Sequence, residues 1–331
     1  MALSTFIIVV VIIALVFEFT NGFHDAANAI ATSIFTRVLT PQRAILMAAG
    51  MNFLGALASE RVASTIAKGL VAVEIEEYVV LAALIAAISW NILTWWFGLP
   101  SSSSHALIGG LIGAAMMYAL SADAVLWAGV VQKVVIPIFA SPLMGFVGGF
   151  LIMRLVFYIC RNVSRLKANN VFGKLQIFSA AFMAFTHGNN DAQKTMGIIT
   201  LALISGQFLQ ADTGIPLWVK IICAATMAAG TAAGGRKIIT TVGRSVTHLQ
   251  PPGGFSAETA AAGVIEFMTY MGAPVSTTHT ITSAVMGVGA ARRLSAVKWG
   301  KAKEIVMVWI VTLPSCIAIG ALCCWIIGKF M

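Results

Sequence analysis

The chain has 331 residues, 59% of them hydrophobic and only 10% charged, with a formal net charge of +9. A soluble domain carries about 25% charged residues, so the composition excludes one and indicates an integral membrane protein; its apolar runs are too long for barrel strands and read as helices. The basic residues gather in short connections, Arg161 to Lys174, Arg236 to Arg244 and Arg292 to Lys303, which is the bias of cytoplasmic loops and not a nucleic-acid surface.

The first apolar segment runs near 4–35. No Lys or Arg precedes Arg37, so it lacks the charged start of a signal peptide and is expected to be retained. A simple span needs about 20 residues, so a segment this long is expected to be interrupted at its polar string, Phe19-Thr20-Asn21-Gly22-Phe23-His24-Asp25-Ala26. A carboxylate in mid-segment costs about 2.5–3.5 kcal/mol on insertion scales, which marks Asp25 as functional. If Gly22 lets the helix open, freed carbonyls, the Asp25 carboxylate and the Asn28 amide oxygen make a hard-oxygen site suited to Na⁺, or a titratable group for H⁺. Glu18 is a further acid in the same segment.

Segments near 44–60 and 78–97 follow, separated by the acidic loop Arg61 to Glu77 with Glu74, Glu76 and Glu77. The fourth segment, near 100–120, opens with Pro100-Ser101-Ser102-Ser103-Ser104-His105. Proline fits the first turn of a helix, so this is a helix start at membrane depth, a re-entrant element. Hydroxyls of Ser102, Ser103 and Ser104, with free N–H groups and the helix dipole, suit an oxyanion. A segment near 134–160 completes the half.

Segments near 175–205, 216–234, 257–272, 274–290 and 304–327 repeat the series, and the polar strings return in order. Phe185-Thr186-His187-Gly188-Asn189-Asn190-Asp191-Ala192 matches the first string at an offset of 166, and Gly272-Ala273-Pro274-Val275-Ser276-Thr277-Thr278-His279 matches the second at 174. The chain therefore divides into repeats over 1–165 and 166–331, forming one integrated membrane domain. Asp191, Asn189, Asn190, Ser276, Thr277 and Thr278 duplicate the ion-linked and anion-holding chemistry. The copies are not identical: Lys194 stands where the first half has Asn28, so an ammonium there would occupy cation-site volume or pair with Asp191. At most one conventional Na⁺ site is expected. Glu266, eight residues before Pro274, is a coupling candidate or the partner of a Lys or Asn.

Five crossings per half is an odd number, so the second repeat should enter the membrane inverted. Loop charge agrees: the acidic Arg61–Glu77 loop corresponds to the basic Arg236–His248 loop, and Arg37 and Arg43 correspond to a cation-free loop near Gln210 and Asp212. The expected fold is an all-α polytopic membrane protein of 10–12 membrane segments with broken and re-entrant helices, both termini extracytoplasmic. Cys160, Cys223, Cys316, Cys323 and Cys324 lack ligand spacing and read as packing residues. His105 and His279 end the hydroxyl strings; with Lys194 they are candidates for a proton relay or for donation to an anion.

The strings GFHDAANAIAT (Gly22 to Thr32), PSSSSHALIGGLIG (Pro100 to Gly113), HGNNDAQKTMGII (His187 to Ile199) and PVSTTHTITSAVMGVG (Pro274 to Gly289) together resemble the PiT family of inorganic phosphate transporters, over nearly the whole chain. The resemblance implies symport of inorganic phosphate with Na⁺ or H⁺ through two inverted halves, and a homodimer in the cytoplasmic membrane. By position it implies an ion-linked role for Asp25, Asn28 and Asp191, and an anion-facing role for Ser102, Ser103, Ser104, Ser276, Thr277 and Thr278. Members with the Gln193-Lys194 pair resemble proton-linked carriers that move phosphate as a neutral metal complex. No enzymatic activity and no cofactor beyond the coupling ion is expected. The alternatives are a sulfate permease of the same fold and an uncoupled anion channel, the latter disfavoured because an anion pore gains nothing from carboxylates at its centre.

Overall fold

The computed structural model describes residues 5–72, 75–210, 212–234 and 249–331. The acidic loop's Glu74 and the whole basic loop Arg236–His248 lie outside the described residues, so the loop-charge comparison rests on sequence alone. Every named element is helical. In the first half these are α1 (Thr5–Phe35), α2 (Pro41–Ala56), α3 (Arg61–Lys68), α4 (Glu77–Phe97), α5 (Ser103–Ala119) and α6 (Trp127–Ile159). The second half gives α7 (Arg165–Ser205), α8 (Leu217–Ala233), α9 (Pro251–Tyr270), α10 (Thr277–Arg292) and α11 (Trp299–Ile327). By length and composition, α1, α4, α6 and α11 can each cross a membrane.

The halves correspond down to single backbone bonds. α1 and α7 are each followed, two positions on, by a residue at positive φ, Arg37 and Gln207, whose N–H bonds Ile34 O and Ile204 O respectively. After α5 and before α11 a short 3₁₀ turn precedes a tryptophan that closes it, with Trp127 Nε1 donating to Ala122 O at 2.8 Å and Trp299 Nε1 to Leu294 O at 2.9 Å. Gly98 and Gly272, at φ 66° and 70°, end α4 and α9 in a left-handed turn open to glycine. Each turn leads within a few residues into the next helix, so α4–α5 and α9–α10 are helical hairpins interrupted at the Pro-hydroxyl strings.

The expected interruption at the Asp strings is not found. α1 and α7 run unbroken through Asp25 and Asp191, and no carbonyl is freed there. Gly22 and Gly188 serve a different purpose, close helix approach. A methyl on Gly22 would lie 2.6 Å from Met227 O of α8, and one on Gly188 would lie 2.3 Å from Asn52 O of α2. The partners reciprocate, Gly230 against Phe19 O and Gly55 against Phe185 O. Small residues that let backbones meet are the usual means of packing helices in lipid.

The same device interleaves the halves. Gly109 and Gly113 of α5 meet Leu313 O and Ile317 O of α11, while Gly145 and Gly149 of α6 meet Thr280 O and Ala284 O of α10. Each half thus lends its last helix to the other half's hairpin. The outer surface is apolar, with Leu46, Phe139 and Phe178 exposed, whereas the Asp and hydroxyl strings are buried. That inside-out polarity is expected when lipid, not water, surrounds the protein.

Two further expectations change. The connection read as Arg161–Lys174 is shorter, because α7 already starts at Arg165, capped by Ser164. The loop Arg61–Glu77 contains α3, whose Arg61 and Thr65 hold the α9–α10 turn: Arg61 Nη1 donates to Tyr270 O at 2.8 Å and Thr65 Oγ1 to Gly272 O at 2.8 Å. With Lys133 Nζ on Met271 O at 2.6 Å, these bonds satisfy carbonyls that the end of α9 leaves open.

Candidate functional site

The unbroken α1 and α7 bring their aspartates together at the point where the two hairpins begin their second helices. Single ligand atoms of Asp25, His187 and Asp191 lie within 4.8 Å of one another, and all three residues are buried. An oxygen-and-imidazole set of this kind could hold a cation.

Around Asp25, His24 Nδ1 lies 2.7 Å from Oδ1, Ser103 Oγ donates to Oδ2 at 3.2 Å and Thr278 Oγ1 to Oδ1 at 3.4 Å. Asn28 Nδ2 donates to Thr278 Oγ1 at 2.8 Å and Thr277 Oγ1 at 3.3 Å. Asp25 of the first half is therefore bonded by hydroxyls from both hairpins. His24 Nε2 continues outward to Thr94 Oγ1 at 3.3 Å, which meets Ser101 Oγ at 2.8 Å.

Around Asp191, Thr277 Oγ1 donates to Oδ2 at 3.0 Å and His187 Nε2 lies 3.1 Å from the same oxygen. Lys194 fills the remaining side. Its ammonium bonds Asp191 Oδ1, Ser104 Oγ and, at 2.9 Å, Val275 O. A carboxylate, a hydroxyl and a carbonyl oxygen form the shell that a hard cation would otherwise take. The carbonyl expected from an opened Asp helix comes instead from Val275, in the break before α10.

The hydroxyls divide into two kinds. Ser102 Oγ accepts from His105 N at 3.2 Å and Ser276 Oγ from His279 N at 3.3 Å, so these two cap α5 and α10. Ser103, Ser104, Thr277 and Thr278 face the charged cluster. Behind them His105 and His279 meet edge to face at 4.8 Å between ring centroids, and His279 stacks on Trp309 at 4.0 Å. Among the described residues, His105 Nδ1 and His279 Nε2 make no hydrogen bond.

Two candidates lie apart. Asn190 Nδ2 bonds Thr269 Oγ1 at 2.8 Å and Ala273 O at 3.2 Å, which secures the α9–α10 turn. Glu266, half-buried, accepts from Asn189 Nδ2 at 3.3 and 3.2 Å. Sequence reasoning missed Glu258, which is wholly buried and accepts from Thr32, Gln176 and Ser179. Its signal, a lone carboxylate in an apolar run, was hidden at the predicted edge of a segment. An open cavity of about 570 Å³ lined by Arg154, Arg161, Arg165 and Arg292 is formed by residues well away in sequence from the Asp strings.

The family model described as the phosphate transporter family matches residues 21–168 and 160–320. A protein of Bacillus subtilis described as a "probable low-affinity inorganic phosphate transporter" is 46% identical over 324 residues, covering 97% of each chain. One of the same description from Rhizobium meliloti is 47% identical over 313 residues, 94% of this chain and 93% of that one. A solved structure described as "The sodium-dependent phosphate transporter" superposes with a TM-score of 0.89 at 25% identity, over 99% of this chain and all of the other.

Proposed function

The chain belongs to the phosphate transporter family, and we propose that it is a symporter that carries inorganic phosphate across the cell membrane together with a cation, H⁺ foremost, bound at Asp25. The single observation that carries this reading is the disposition of charge at the centre. Two carboxylates face one ammonium, and that ammonium is paired with Asp191, so Asp25 is the carboxylate left with hydroxyls and the His24 imidazole as its partners.

A phosphate anion cannot approach a buried uncompensated carboxylate without a large electrostatic cost. A proton or Na⁺ at Asp25 removes that cost. It also releases Ser103 and Thr278, whose hydroxyls are donated to Asp25 in this structure, to turn toward the phosphate oxygens. Cation first, anion second is then the favoured order. Lys194 supports a fixed positive charge in the second half, so that only the first half needs a mobile cation. Neutral donors from Ser103, Ser104, Thr277 and Thr278, placed at the starts of two helices, suit an anion that must also leave.

Na⁺ is the second reading for the coupling cation. Asp25 and the Asn28 amide supply oxygen ligands for it, and the structural neighbour is described as sodium-dependent. A neutral metal–phosphate complex as the transported form is compatible with the same arrangement, its metal facing Asp25, His187 and Asp191. The remaining features of the proposal are two inverted halves over 1–165 and 166–331, alternating access around this centre, both termini outside and a homodimer.

Labelled phosphate and sulfate uptake into proteoliposomes, under separately imposed H⁺ and Na⁺ gradients, tests the proposal. Phosphate accumulation driven by the H⁺ gradient, undiminished by excess sulfate, is expected. Sulfate uptake that phosphate fails to compete would overturn the substrate, and uptake indifferent to both gradients would indicate a channel.

A further inference from the structure

Glu18 and Glu258 are equally buried, at 0% exposure, yet their surroundings are opposite. Glu258 accepts from Thr32, Gln176 and Ser179, three donors that offset part of the cost of burying its carboxylate. Glu18 receives one hydrogen bond, from Thr195 to Oε2, and among the described residues its Oε1 receives none. Asn21 lies beside it one turn further along α1, 1% exposed and within interaction range of the carboxylate, and among the described residues its Oδ1 makes no hydrogen bond. The nearest ammonium, that of Lys194, is already committed to Asp191, Ser104 and Val275 O.

An ionised carboxylate in apolar surroundings, with its hydrogen bond from Thr195 and no ion pair among the described residues, is disfavoured. A proton on Oε1 changes the balance. It neutralises Glu18, turns Oε1 into a donor toward the free Asn21 Oδ1, and leaves Oε2 accepting from Thr195. The site is aligned with the transport centre: Glu18, Asn21, Asp25, Asn28 and Thr32 recur at heptad spacing on one face of α1 and are all buried. Glu18 stands about 10 Å along the axis from Asp25. Thr195 adjoins Lys194 on α7, so the site also touches the helix carrying the second aspartate.

We propose that Glu18 is a second proton-binding site of the transport cycle, loaded at Oε1 against Asn21 and discharged when α1 and α7 move apart at Thr195. The proton comes from solvent on one side of the membrane and returns to solvent on the other, with no other bond made or broken. The charged and titratable groups facing Glu18 are Asp191 and Lys194 of α7 and the Cys223 thiol of α8. This inference rests on the proton-coupled reading above and adds a second proton carrier to it.

The test counts protons and phosphate together in proteoliposomes, with an internal pH dye and labelled phosphate. Glu18→Gln, which imitates the protonated acid, is expected to carry fewer protons per phosphate. Its steady accumulation under a pH difference of one unit should fall about tenfold for each coupled proton lost. Wild-type proton counts and accumulation in that variant would overturn the proposal. Should Glu18→Gln fail to fold, Thr195→Val decides: it keeps the acid but removes the donor to its ionised form, so the pH profile of uptake should move to the alkaline side. An unmoved profile would overturn the proposal as well. Wild-type uptake that ignores the pH gradient would instead sink the proton-coupled reading itself, before any variant is compared.

Discussion

Lys194 Nζ bonds Asp191 Oδ1 one turn earlier on α7, at the position where the first half carries Asn28. The two halves share a scaffold but differ in charge at this contact, and the charge of the proposed centre depends on it. Lys194→Asn restores the chemistry of the first half and leaves Asp191 without its tethered counter-charge. Breaking a buried pair from one side costs about 3–5 kcal/mol unless another cation takes the place. Phosphate uptake by this variant is therefore expected to become stimulated by Na⁺. Uptake measured in Na⁺ against choline checks it, and Na⁺-indifferent uptake at the wild-type rate would contradict the assignment of Lys194 as a fixed cation.

Hydroxyls of the two strings are expected to separate by role. Thr277 donates to Asp191 and accepts from Asn28, whereas Ser102 caps α5. A hydrogen bond to a charged partner contributes about 1.5–3 kcal/mol, so Thr277→Val should raise the phosphate KM about tenfold or more. Ser102→Ala should cost about 1 kcal/mol of stability through the lost cap and leave KM little changed. Uptake kinetics and thermal unfolding of both variants distinguish the roles. An equal effect on KM would place Ser102 among the anion donors.

The glycine crossings make a stability prediction that does not involve transport. Gly188→Ala drives a methyl to 2.3 Å from Asn52 O, while a methyl on Gly263 meets nothing within 4 Å. Overpacking of this kind costs about 1–3 kcal/mol, and relief of glycine's backbone entropy in a helix is worth roughly 0.5–1 kcal/mol. Gly188→Ala should thus unfold at lower temperature than wild type, and Gly263→Ala at the same temperature or higher. A neutral Gly188→Ala would mean that the string opens there, as the sequence first suggests.

Much of the fold was legible in the residues. The apolar runs lie within about ten residues of the observed helices, because long, predominantly apolar segments leave little other choice. What failed was local. Gly22 and Gly188 read as points of opening because glycine weakens a helix, but glycine also admits a neighbouring backbone, and sequence does not say which use prevails. α3 has eight residues and a charged surface, and the start of α7 is amphipathic and basic, so both read as loop. The exchange of α6 and α11 between hairpins has no sequence signal, since lipid-facing and partner-facing stripes are both apolar. The residues that cluster around Asp25 and Asp191 were singled out in the sequence through duplication. Their division into caps and donors, and the carbonyl of Val275, needed coordinates.

The central claim is that the Asp25 carboxylate couples the cation to phosphate. The most direct measurement is steady accumulation of labelled phosphate in vesicles under an imposed pH gradient, for the wild type and for Asp25→Asn, with folding of both checked by thermal unfolding. The wild type should concentrate phosphate, and the folded variant should fail to raise it above the external concentration. Accumulation by Asp25→Asn equal to that of the wild type would contradict the account.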